Sequence, residues 1–202
     1  MVIRVLVAED EHLIREAMVA LLVLEPDLEV IAQAASGHEA VAMAREHGPD
    51  VAVLDLRMPG LDGIAAAKTI IRHNNGCRTL ILTSHGLPGH LKRSLEAGVK
   101  GFVPKMISAA KLADAIRAVH GGDRYIDPSL AADAISAGDS PLSAREADIL
   151  ALAADGATVN EIAQRASLAP GTVRNYLSSA VTKLEANNRH SAVHIARSHG
   201  WI

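Results

Sequence analysis

Five polar residues each stand at the end of an apolar run. Glu9 and Asp10 follow Ile3–Ala8, Asp55 follows Val51-Ala52-Val53-Leu54, Thr83 follows Leu80-Ile81-Leu82, and Lys105 follows Phe102-Val103-Pro104. Continuous aliphatic runs bounded by turn residues are strands buried on both faces. Parallel strands bring their carboxyl ends to one edge, where open α/β sheets keep their chemistry. Three carboxylates crowded there repel one another unless a hard cation sits among them. Mg²⁺ prefers carboxylate and water oxygens and pairs with phosphate. A carboxylate in that setting is a candidate phosphoryl acceptor, because Asp forms acyl phosphates. Asp55 fits best: Pro59-Gly60 and Asp62-Gly63 turn the chain sharply behind it. Lys105 offers a point charge to a phosphoryl oxygen, and the Thr83 hydroxyl can donate to another.

The elements that would hold these residues alternate strictly. Strands are expected at Ile3–Ala8, Leu28–Ala34, Val51–Asp55, Arg78–Thr83 and 101–103. Helices are expected at 12–24, Gly37–His47, 64–73, 87–97 and 108–120. In the first helix Leu13, Ala17, Leu21 and Leu24 recur at helical spacing. Asn74-Asn75-Gly76 is the expected stop of the third helix. Five strand–helix units in a row demand a doubly wound parallel α/β sheet with right-handed crossovers.

Composition narrows the function classes. The chain has 202 residues, 49% hydrophobic and 21% charged, enough for one large or two small globular domains. A net charge of −3 gives no global pull toward nucleic acid. Aromatics are only 2%, against single-stranded nucleic-acid binding by stacking. One cysteine, Cys77, allows no disulfide framework and points to a reducing cytoplasm. No run has the length of a membrane span, so direct membrane insertion is not expected. The N-terminal run is too short for a signal peptide.

Residues 122–141 change character. One Arg stands against four Asp, with Gly121-Gly122 and Gly138-Asp139-Ser140-Pro141 bracketing an Ala-rich helix at 128–136. That is a solvated linker carrying a helix. Residues 142–202 read as four helices: 143–154, opened by the capping box Ser143-Ala144-Arg145-Glu146 and ended by Asp155-Gly156; 160–166; 172–184; and 189–199. Two short helices, a tight turn and a longer helix form a helix-turn-helix. On the third helix Thr172, Arg174, Asn175, Ser178, Thr182 and Lys183 face outward. Arg and Asn read base edges bidentately in the major groove, and Thr172 and Lys183 suit phosphates. Six Lys/Arg against five Asp/Glu make the unit only weakly basic.

Residues 1–121, through Glu9-Asp10, Asp55-Leu56-Arg57-Met58-Pro59-Gly60-Leu61-Asp62-Gly63, Thr83 and Lys105, resemble the receiver domain of bacterial two-component response regulators. Residues 142–202 resemble the LuxR/NarL-type DNA-binding domain, through Leu142-Ser143-Ala144-Arg145-Glu146, Glu161-Ile162-Ala163, Thr172-Val173-Arg174-Asn175-Tyr176 and Lys183-Leu184. Together they resemble the NarL/FixJ response regulators. The resemblance implies a five-stranded flavodoxin-like sheet of order 2-1-3-4-5 and a second, all-α four-helix domain.

It also implies roles. Asp55 is the phospho-acceptor. Glu9, Asp10, Asp55 and the Arg57 carbonyl hold Mg²⁺, while Thr83 and Lys105 bind the phosphoryl group. Phe102 is the aromatic switch residue, where many receivers have Tyr. Arg57 and His85 flank the site, which predicts slow self-dephosphorylation. Arg174, Asn175 and Ser178 face bases, and Tyr176 stands where many members have His. The last helix, with Val193 and Ala196, pairs two such domains. The partners implied are a sensor histidine kinase, double-stranded promoter DNA and a second copy on activation. Gly171–Tyr176 and Gly200-Trp201 most resemble regulators of membrane-lipid fluidity, which implies desaturase-gene control. Two other classes stay open. An aspartyl phosphohydrolase would need a general acid where Arg57 stands. A phosphorylation-independent regulator would use the receiver-like unit only to dimerise.

Overall fold

The computed structural model describes residues 2–73, 76–84, 86–137, 140–154 and 156–202. The expected stop at Asn74-Asn75, the flanking His85 and the turn residues Gly138, Asp139 and Asp155 lie outside the described residues. The chain divides into two compact units, residues 1–86 with 91–132 and residues 133–202 with 87–90.

Strand and helix alternate as the apolar runs dictate: β1 (Ile3–Ala8), α1 (His12–Leu22), β2 (Leu28–Ala34), α2 (Gly37–His47), β3 (Val51–Asp55), α3 (Gly63–His73), β4 (Arg78–Thr83), α4 (Pro88–Glu96), β5 (Gly101–Pro104), α5 (Ala109–Gly121) and β6 (Tyr125–Ile126), after which the chain continues into α6 (Pro128–Ala137). The sheet is all parallel in the order β2-β1-β3-β4-β5-β6. Val5, Val7, Val51, Val53, Leu80, Leu82 and Val103 form its inner row toward α1 and α5. Leu6, Leu54, Ile81 and Phe102 alternate with them and are also buried, so both faces are covered. Ser36 and Ser108 accept from the third backbone N–H of α2 and α5, fixing where those helices begin.

Two expectations are corrected. The sheet has six strands, not five. β6 lies in the stretch expected as linker, where Tyr125 N donates to Lys100 O and Asp127 N donates to Phe102 O, both at 3.0 Å. These two bonds satisfy the edge of β5 that would otherwise be open. In α1, which ends at Leu22, the stripe Leu13, Ala17, Leu21 and Leu24 faces solvent. Leu13 is 78% and Leu24 76% exposed, while Met18 and Leu22 enter the core with Ile14 and Val19 beside them.

The second unit holds α7 (Ala144–Ala154), α8 (Val159–Ala166), α9 (Pro170–Lys183) and α10 (Arg189–Ser198). Ile149, Leu150, Ile162, Val173, Leu177, Ala180 and Leu184 make one core. Val193 and Ala196, expected at a surface between two copies, are 8% and 0% exposed and belong to this core. A short four-helix unit needs one apolar stripe from every helix, and on α10 this is that stripe. The residues that α10 leaves exposed are His190, His194, Arg197 and Ser198.

Candidate functional site

The ends of β1, β3, β4 and β5 deliver their polar groups to a common edge, and backbone bonds continue past the strands to hold them there. Glu9 N donates to Ala34 O at 3.0 Å, Leu56 N to Leu82 O at 2.8 Å and Lys105 N to Thr83 O at 2.8 Å. Behind Asp55 the chain turns so closely that a Cβ on Gly63 would run into the Asp55 carbonyl oxygen. Only glycine admits that approach. Asp62 caps the start of α3, accepting from Ala65 N at 2.7 Å.

The side chains meet as the sequence expected. Glu9, Asp55 and Thr83 are buried and Asp10 is exposed. Lys105 Nζ donates to Glu9 Oε1 at 2.9 Å and lies 3.1 Å from Asp55 Oδ1. Glu9 Oε2, 2.7 Å from the same ammonium, is not aligned to accept from it. One oxygen from each of Glu9, Asp10 and Asp55 falls within 4.8 Å of the others. A cavity of about 240 Å³ opens onto this cluster, lined by Asp10, Asp55, Arg57, Thr83, Ser84 and Lys105 among others.

One ammonium serves two buried carboxylates, and the electrostatics follow. Burial raises the Asp55 pKa, and Lys105 only partly opposes this. Burial also raises that of Glu9, against the hydrogen bond from Lys105. For Lys105 burial acts downward, but Glu9 and Asp55 together outweigh it and keep the ammonium protonated. An all-oxygen donor set, short of positive charge and carrying a misaligned buried oxygen, suits a hard divalent cation. The residues present therefore fit Mg²⁺. Phe102 is apart from this cavity, 1% exposed on β5 and paired in register with Ile81.

In the second unit Arg174, Asn175, Ser178 and Thr182 are exposed on α9. Thr172 and Tyr176 are half-buried, Tyr176 against the four-helix core. Lys183 is committed elsewhere: its Nζ lies 2.7 Å from Glu146 Oε2 on α7.

The model of the response regulator receiver domain matches residues 5–117, and that of the bacterial regulatory proteins of the luxR family matches residues 140–196. The chain belongs to the LuxR-type response regulators. The transcriptional regulatory protein DesR of Bacillus subtilis (strain 168) is 40% identical over 200 residues, 99% of either chain. A LuxR-family two-component response regulator from Aurantimonas sp. SI85-9A1 aligns with TM-score 0.64 and 33% identity, over 67% of this chain and 97% of that one. The response regulator RcsB in complex with DNA aligns with TM-score 0.67 and 25% identity, over 98% and 99%. This response regulator thus joins a receiver, the input of a two-component pair with a sensor kinase, to a DNA-binding output. Receiver domains hold Mg²⁺ at an acidic pocket, and Glu9, Asp10 and Asp55 form an acidic cluster here that could hold a metal ion. Among the described residues no helix is long and apolar enough to cross a membrane.

Sequence reasoning missed two ionic clusters. Arg117 on α5 binds Asp27, Glu25 and Asp114, at 2.6 Å to both Asp27 and Glu25, and its guanidinium holds the Asp27 carboxyl down to about 2. Asp27 and Glu25 sit about 90 residues away in the α1–β2 turn, and no local pattern announces them. Glu146 also gathers Ser143 and Ser179, and here half the signal was visible as a capping box. A second capping box, Thr158 with Glu161, opens α8. Its Thr-x-x-Glu spacing was legible and overlooked.

Proposed function

We propose that this regulator is switched by phosphorylation of Asp55 from a sensor histidine kinase, and that the phosphorylated form dimerises on promoter DNA. The observation carrying this reading is a single lysine shared by buried Glu9 and Asp55 at the wall of an open polar cavity. In it, the kinase's phosphohistidine loses its phosphoryl group to an Asp55 carboxylate oxygen, forming an acyl phosphate and neutral histidine. Glu9, Asp10, Asp55 and the Arg57 carbonyl would hold Mg²⁺, which when bound would supply positive charge to the phosphoryl oxygens. Lys105 releases Glu9 and turns to one phosphoryl oxygen, and the Thr83 hydroxyl donates to another. Thr83 ends β4, so its movement pulls the β4–α4 loop and repacks Phe102. Arg57 screens the acyl phosphate from water, and self-dephosphorylation is slow.

The receiver then spans residues 1–121, the linker 122–141 and the DNA-binding domain 142–202, in the cytoplasm. Leu13 and Leu21 on α1 and Leu24 just beyond it are exposed, and they support α1 and α5 as the surface that pairs two copies. A two-fold dimer sets two α9 helices in successive major-groove half-sites. Arg174, Asn175 and Ser178 read bases there, and Thr172 meets phosphate; Tyr176 packs beside them. The motif Gly171–Tyr176 and the Gly200-Trp201 ending support membrane-lipid genes as the target. The test is DNA-fragment selection by the full chain with and without acetyl phosphate and Mg²⁺. Phosphodonor should enrich one palindromic site for the wild type and leave Asp55→Asn unchanged. Equal enrichment in both would make the chain a phosphorylation-independent regulator.

A further inference from the structure

The strongest polar cluster outside the receiver cavity lies where α7 crosses α9. Glu146 is 5% exposed, and its carboxylate collects four donors. Ser143 N and Ser143 Oγ donate to Oε2 at 2.6 and 2.8 Å, which is the capping box of α7. Two more donors come from α9: Ser179 Oγ to Oε1 at 2.6 Å and Lys183 Nζ to Oε2 at 2.7 Å. The start of one helix is thereby bolted to the last two turns of another, 33 to 37 residues on.

The spacing along α9 separates this bolt from the exposed reading face. At 3.6 residues per turn, Val173, Leu177, Ala180 and Leu184 share one stripe, and they are buried. Arg174, Asn175, Ser178 and Thr182 share a second, and all four are exposed. Thr172, Tyr176, Ser179 and Lys183 form the flank between them. Two of these four bind Glu146, and the other two are half-buried. Swinging Lys183 onto a phosphate would take from the buried Glu146 carboxylate the one cation placed against it among the described residues.

We propose that Glu146 is a positioning residue for the DNA-reading helix, and that Lys183 is its strut rather than a contact to DNA phosphate. The bolt sets the rotation of α9 about its own axis, and with it which of Arg174, Asn175 and Ser178 reaches a base edge. This rests on α9 being the helix that reads DNA.

The two roles for Lys183 leave different marks on binding. A lost phosphate contact weakens all duplexes alike and lowers the slope of log affinity against log salt by about 0.9. A lost strut weakens discrimination and leaves the slope alone. The experiment measures binding of the full chain, phosphorylated with acetyl phosphate, to its selected duplex and to a scrambled one across a salt series. Lys183→Met should reduce the ratio of selected to scrambled affinity about tenfold, as loss of a charged hydrogen bond predicts. Affinity for the scrambled duplex and the salt slope should hold. Lys183→Arg should restore the ratio, and Lys183→Met should add little on top of Ser179→Ala. Ser179→Ala removes one donor only, so it keeps the test open if Glu146→Gln does not fold. A variant that merely lost stability would weaken both duplexes equally. Equal weakening of both duplexes by Lys183→Met, with or without a lower slope, overturns the proposal. If Arg174→Ala and Asn175→Ala discriminate like the wild type, α9 does not read DNA and the proposal falls with that reading.

Discussion

Each unit of the molecule buries a glutamate against a lysine, and the two clusters behave oppositely. At the sheet edge, Lys105 is divided between Glu9 and Asp55, with Asp10 close by and a cavity open in front. Charge is short there, and burial lifts both buried carboxyls above their ordinary range. In the helical unit, Glu146 receives Lys183, two serine hydroxyls and a backbone N–H. Burial alone would raise its pKa, but Lys183, Ser179 and Ser143 outweigh burial and hold it at about 2. A carboxylate short of partners in an open cavity is prepared to take a cation or a phosphoryl group. A carboxylate that already accepts four hydrogen bonds is prepared to stay as it is. The same residue pair thus makes a receptor in one place and a fastener in the other.

Removing the lysine from each cluster should show the contrast most strongly. Lys105, 12% exposed, is the only cation placed against Glu9 and Asp55 among the described residues. Lys105→Met should cost the receiver about 3 kcal/mol, because it leaves buried charge unpaired. Mg²⁺ should recover much of that loss in urea unfolding, since a cation can take the ammonium's place. Lys183 is 41% exposed, and Lys183→Met should cost only about 1 kcal/mol. Mg²⁺ should recover none of it. Equal recovery in both variants would erase the distinction.

Acid should give a smaller separation. The Glu146 pKa is depressed from its ordinary 4.5 to about 2. Its contribution is therefore present above about 4.5 and lost as pH falls from there toward 2. The helical unit should lose stability across that window, and Glu146→Gln should flatten the loss. The raised carboxyls of the receiver add no such term there, because their protonated forms are the ones burial favours. Circular dichroism melts of wild type and Glu146→Gln between pH 5 and pH 2 check this; parallel curves would refute it.

What was legible in the sequence follows the same divide. The strands and their polar ends were readable because continuous apolar runs have one structural solution, and a polar residue closing such a run needs a reason. Five residues at four strand ends could therefore be assembled before any coordinates. The α1 stripe was harder, since that helix carries apolar residues on both sides. Spacing found a stripe, while contact with the sheet selected Met18 and Leu22. β6 is two half-buried residues long, too short for any periodicity, and exists because β5 offers an edge. Val193 and Ala196 were assigned outward by resemblance, but a four-helix unit needed them for its core. The Lys183 pairing was illegible because it joins residues 37 apart. Ser-x-x-Glu spelled the cap, but nothing local spelled the second use of its carboxylate.

The most direct measurement is the intact mass of the full chain after incubation with acetyl phosphate and Mg²⁺. The open cluster should take up one phosphoryl group, the adduct should last for minutes, and Asp55→Asn should take up none. No adduct on the wild type, or the same adduct on Asp55→Asn, would contradict the account.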